Sequence, residues 1–164
     1  MREMRAFIIR NDGAAAAEMA LVLPLLMLLM FGGFEAAHYF YTEQKVIQAV
    51  REGARYAGRR PFADFPCGGT ANAGAVTAVK SVTRTGTLQG TTPRISNWDE
   101  TLITVTHTCN ASFANAGIFK GNSAGAPVVT VSAAADYPSL FGTLGLIDGT
   151  YQVRSTAQAV VNGI

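Results

Sequence analysis

The chain has 164 residues, 49% apolar and 15% charged, with a formal charge of +2, a length that holds one membrane helix and one small folded domain but not two sizeable cores. So small a net charge, with no Lys/Arg run interleaved with aromatics, argues against nucleic-acid binding. The apolar content is uneven: from Ala14 to Phe34 there is a single charge, Glu18.

That stretch, AAAAEMALVLPLLMLLMFGGF, is about 21 residues, and a helix rising about 1.5 Å per residue crosses a hydrocarbon core of roughly 30 Å in that length. Arg2, Arg5 and Arg10 precede it against Glu3 and Asp12, while Glu35 and Glu43 follow and the first cation beyond is Lys45. The positive-inside bias therefore predicts a cytoplasmic N-terminus and an exported remainder. A cleaved secretory signal fits less well. The run is longer than an ordinary h-region, and FEAAHYFYTEQK continues a helical pattern where small residues would mark a cleavage site. A plain signal anchor shares these hydropathy features and stays open as a reading.

Beyond the run, Ala36, Phe40, Ile47, Val50, Ala54 and Ala57 recur at steps of three and four, interrupted at Glu43. The spacing predicts that one helix continues to about Arg59, first in lipid and then amphipathic, until Pro61 ends it. Pro24 lies inside the apolar run, where a lipid-embedded helix tolerates it; an incidental kink and a functional hinge are both consistent with it.

A basic leader ending in Gly13, then Ala14 to Ala17, then Glu18 and an apolar run containing Pro24 resembles a type IV prepilin processing site. The resemblance implies that a prepilin peptidase cuts after Gly13 on the cytoplasmic side, leaving a mature chain that starts at Ala14 with Glu18 fifth. A carboxylate in lipid costs about 2 to 3 kcal/mol, so it calls for a partner. The new amine at Ala14, on the same chain or a neighbouring one, is a candidate, and the helix macrodipole is the simpler alternative. The stretch from Gly13 to Arg60, closing in Arg51 to Ala57 as REGARYA, resembles the TadE-like pseudopilins of tight-adherence, Flp-type pilus systems. Met19 departs from that pattern, since Flp-type substrates usually carry an aromatic after the glutamate. The resemblance implies a bacterial inner-membrane protein with a periplasmic C-terminal domain. Its partners would be prepilin peptidase, other pilins and pseudopilins, an inner-membrane assembly platform and the lipid bilayer, with Glu18, Pro24, Phe40, Ile47 and Val50 as helix-pairing positions.

Within REGARYA, Arg51 and Arg55 with the later Arg59 lie on one side at steps of four. One reading makes them a contact for an acidic surface or phospholipid head groups. The other makes this a solvated helix end, with Glu52 and Arg55 paired and Ala54 and Ala57 packed on the following domain.

The expected organisation is a leader over 1–13, a transmembrane and amphipathic helix over 14–60, and an exported α+β domain over 61–164. In that domain Thr70 would cap a helix over about Ala71 to Arg84, with Ala75, Val76, Val79 and Val82 on one face and Gly86 as its stop. Period-two alternation predicts strands at Leu102–Cys109, Val128–Ala135 and Tyr151–Val161, giving one helix on a three- or four-stranded antiparallel sheet. Asn110 to Pro127 reads as a mobile surface excursion. YPSLFGTLGLI, with Leu140, Phe141, Leu144, Leu146 and Ile147, either closes the core or forms an exposed apolar patch.

Cys67 and Cys109 both fall in the exported part, so a disulfide is expected; it closes a loop of 42 residues and contributes about 4 kcal/mol in the chain-entropy picture. His38 and His107 lack metal-ligand spacing with each other or the cysteines, and no metal or cofactor is expected. There is no G-x-S-x-G elbow, Walker loop or H-E-x-x-H, and the exported carboxylates are scattered among turn residues. The expected role is non-enzymatic. It is a minor pilin that packs its helix among other pilins, or alternatively an uncleaved, membrane-anchored periplasmic adaptor of a secretion apparatus. A tethered enzyme finds no candidate site.

Overall fold

A computed structural model describes residues 12–142 and 151–163. The architecture is a long N-terminal helix followed by a small domain with one helix and a three-stranded antiparallel sheet. The chain divides between His38 and Tyr39 into two compact units.

Helix α1 spans Asp12–Gly58 and runs through Pro24. Its apolar run is long and apolar enough to cross a membrane, and none of that run is buried against protein. Leu21 is 80% exposed and Leu28 68%, which is stable only in a solvent as apolar as the side chains.

From Tyr39 onward the same helix belongs to the folded unit. Val46, Ala49, Val50, Ala54 and Ala57 are buried in one cluster with Val129, Val131, Ala133, Ala135 and Val153 of the sheet. The helix ends at Gly58, three residues before Pro61, by tightening, Arg59 N–H donating to Tyr56 O and Arg60 N–H to Ala57 O, both at 3.1 Å. Gly58 O then accepts from Asn162 N–H at 2.8 Å, and a Cβ on Gly58 would stand 3.0 Å from Val160 O. The helix end therefore lies hard against the chain leaving the last strand.

Helix α2 spans Ala73–Thr85. Its cap is Asn72 rather than the expected Thr70: the Asn72 side chain accepts from Gly74 N–H at 2.8 Å and Ala75 N–H at 3.3 Å, satisfying two otherwise orphaned donors. Gly86 closes the other end at φ +87°, with its N–H donating to Val82 O, as the sequence predicts. Ala75, Val79, Val82 and Thr83 are buried.

The strands are β1 (Ile103–Asn110), β2 (Ala126–Asp136) and β3 (Gln152–Val160), in sheet order β1-β2-β3. Cross-strand rows Val105–Val131–Ala157 and His107–Val129–Ala159 face the helices. The opposite face carries Thr104, Thr106, Thr130, Ser132, Thr156 and Gln158, the alternation of a sheet packed on one side only. Each strand boundary lies within two residues of its prediction.

The connection between β1 and β2 holds two short 3-10 turns, Ala111–Phe113 and Gly117–Phe119. Gly125, at φ +101°, returns the chain so close to Asn110 that a Cβ there would collide with its carbonyl. At the end of β2, Tyr137 is buried and its ring meets Tyr39 edge to face at 5.3 Å, while Leu140 stays half exposed. Leu144, Leu146 and Ile147 lie outside the described residues.

Candidate assembly surface

Gly13 and Ala14 lie in the first turn of α1 and are exposed; the basic leader, apart from Asp12 and Gly13, is outside the described residues. Glu18 is exposed one helical turn after Ala14, and Pro24 is exposed six residues on. Around them Met19, Leu21, Leu25, Leu26, Leu28 and Leu29 form an apolar surface on all sides of the helix, the pattern of a segment solvated by lipid or by other apolar helices.

The helix-pairing positions farther along separate. Phe40 is 62% exposed, Ile47 is partly buried, and Val50 is fully buried in the chain's own core. The anticipated stripe through Ala36 and Phe40 is rotated: the buried line runs through Thr42, Val46, Ala49, Val50, Gly53, Ala54 and Ala57. Apolar spacing alone does not distinguish these lines, since Phe40 and Val46 each fit a three-or-four step to the buried alanines. Burial under the sheet and α2 selects one of them.

REGARYA has a local explanation. Ala54 and Ala57 pack into the core, as one of the two readings held. Gly53 permits close approach of α2, because a Cβ there would run into the Thr83 side chain and stand 3.6 Å from Val79 O. Glu52 does not pair with Arg55. It bonds the Arg94 guanidinium, forty-two residues away in the chain and invisible to an i,i+3 argument. Arg60 is closed on Asp64, with Nε 2.7 Å from the carboxylate, and its guanidinium sits 5.7 Å from the Tyr56 ring centre. Arg51, Arg55 and Arg59 remain exposed, and Glu52, Arg55, Tyr56 and Arg59 line a shallow cleft.

Cys67 and Cys109 form the expected disulfide, with Cα atoms 5.7 Å apart. It ties the loop after α1 to the outer edge of the sheet, and His107 on the same strand face places Nε2 3.1 Å from Pro66 O. That contact satisfies His107 as a structural side chain. Among the described residues no group of three or more His, Cys, Asp or Glu could hold a metal ion.

Sequence reasoning passed over Trp98. It is 1% exposed, donates its indole N–H to Ala134 O at 2.7 Å, and its own carbonyl accepts from Arg84 Nε at 2.7 Å. A lone tryptophan in a polar loop was the available signal, since so large a side chain is seldom left in water. Next to it, Asp99 accepts from Thr101 N–H at 2.7 Å, which with the Thr101 hydroxyl and the Arg84 charge holds its carboxyl below the usual range.

Against known proteins, the model of the family described as TadE-like protein matches residues 13–55, about a quarter of the chain. The match begins at Gly13 and ends within REGARYA, so it lies wholly inside α1. No curated protein and no solved structure matches the chain.

Proposed function

We propose that this chain, whose residues 13–55 form a TadE-like segment, is a minor pilin that helps assemble a tight-adherence pilus and so supports surface attachment. One observation carries the reading: the TadE-like match coincides with a single helix that is bare and apolar over its first part and buried in a disulfide-tied domain over its last. A bare apolar helix anchors the chain in a bilayer and also presents a surface on which other apolar helices pack.

In this reading the N-terminus is cytoplasmic and the folded unit periplasmic, where an oxidising environment keeps the Cys67–Cys109 bridge. Prepilin peptidase removes the leader after Gly13, and the new Ala14 amine neutralises Glu18 of the same or a neighbouring helix. An inner-membrane platform then moves the subunit among the other pilins. The chain contributes shape and contacts rather than catalysis.

The test is N-terminal sequencing of the protein extracted from membranes, together with piliation assays. A start at Ala14, blocked by Gly13→Ala, is expected, as is a Glu18→Ala variant that is processed but assembles no pili. An intact leader would favour the uncleaved periplasmic adaptor. Normal piliation by Glu18→Ala would remove the charge-pairing step.

A further inference from the structure

The ion pairs of the folded unit leave a run of arginines at the end of α1 unpaired among the described residues. Along Tyr39–Gly58 of α1 the only acidic residues are Glu43 and Glu52, and Glu52 is taken by Arg94. Arg60, the nearest other cation, is taken by Asp64. Arg51, Arg55 and Arg59 are exposed and have no ion pair among the described residues. At about 1.5 Å rise per residue Arg51 and Arg55 stand about 6 Å apart along one side of the helix, and Arg59 follows in the turn just past Gly58.

We propose that Arg51, Arg55 and Arg59 are a docking row for an acidic helix of a different subunit, one that presents a carboxylate at every fourth residue. Carboxylates at i and i+4 repeat with the pitch of Arg51 and Arg55, and Arg59, in the turn that follows, extends the row toward a third at i+8. All three cations are arginine, whose planar fork holds a carboxylate through two parallel hydrogen bonds where lysine offers a single point charge. Glu52 is drawn away from Arg55 by a residue from the distant loop, which keeps the row from being quenched within its own helix.

A second copy of this chain is a poor occupant. The same stretch of its helix offers one uncommitted carboxylate, Glu43, against three guanidinium groups, and its own row adds repulsion. An anionic lipid surface is also a poor occupant. The row belongs to the folded unit, seventeen residues past Phe34, and its nearest exposed neighbours on that side are Gln44 and Gln48, the exposed aromatics Phe40 and Tyr41 standing a further turn or more back toward the apolar run.

The inference rests on the assembly reading for the source of the acidic subunit, but the row can be tested without it. The full chain in detergent micelles is titrated into a labelled helical peptide carrying Glu at every fourth position. A second peptide of equal composition, with its Glu spread around the helix, is the control. Vesicles containing anionic phosphatidylglycerol are a separate arm. The in-register peptide should bind, weaken as salt rises, and lose about tenfold or more in affinity to the Arg51→Gln/Arg55→Gln/Arg59→Gln variant, whose melting temperature stays that of the parent because the side chains are exposed. Equal binding of the two peptides, or undiminished binding by the variant, would overturn the row. Binding to vesicles alone would assign it to lipid, and self-association lost in the variant would assign it to a second copy, each overturning the proposal. Pili that assemble normally with the triple variant would also sink it, while leaving cleavage at Gly13 and the assembly role intact.

Discussion

Gly33 and Gly53 lie twenty residues apart in one helix, yet a Cβ on Gly33 would meet nothing within 4 Å while one on Gly53 would run into Thr83. The same contrast holds for the large side chains. Leu21 to Leu29 are bare, whereas Val46 to Ala57 hold up the core of the folded unit. Helix formation is common to both stretches, so what separates them is the medium that takes up the apolar surface. The first stretch leaves this to lipid or to other helices, and the second gives it to the sheet and α2.

The largest way to test that contrast is the disulfide, which belongs to the folded unit alone. Replacing Cys67 and Cys109 together by Ser should lower the unit's stability by about 4 kcal/mol, read as a drop in melting temperature followed by near-UV circular dichroism of the full chain in detergent. The helicity of the apolar run should persist through that transition, because a lipid-like medium satisfies it locally. An unchanged melting temperature would mean that the bridge does not constrain the unit.

A smaller effect is expected from the glycines. Gly53→Ala should destabilise the folded unit by about 1 to 3 kcal/mol, because the new methyl forces α2 outward. Gly33→Ala should leave the unfolding transition where it was. If the two substitutions behave alike, the helix is not packed on one stretch and open on the other. Smallest of all, Glu52→Gln should cost about 1 kcal/mol or less, since the pair with Arg94 is only partly buried. That loss should shrink further in high salt.

Much of this architecture is legible in the chain itself. Twenty-one nearly uncharged residues are long and apolar enough to cross a membrane whatever the rest folds into. Gly86 stops α2 because only glycine takes up its positive φ cheaply, and the three strands announce themselves by alternation. The Asn72 cap was missed by two residues because Thr70 and Asn72 carry equivalent capping groups, and only the direction in which the loop arrives selects between them.

The local code of period, hydropathy and turn residue thus determined the elements, the long apolar run and the pairing of the only two cysteines. Tertiary structure alone decided which line of α1 is buried, leaving Phe40 outside and Val50 inside. It also sent Glu52 to Arg94, folded Trp98 under the sheet and left three arginines bare. Those outcomes depend on surfaces brought together from separate segments of the chain, and a helix cannot register from its own sequence which of its faces a distant strand will cover.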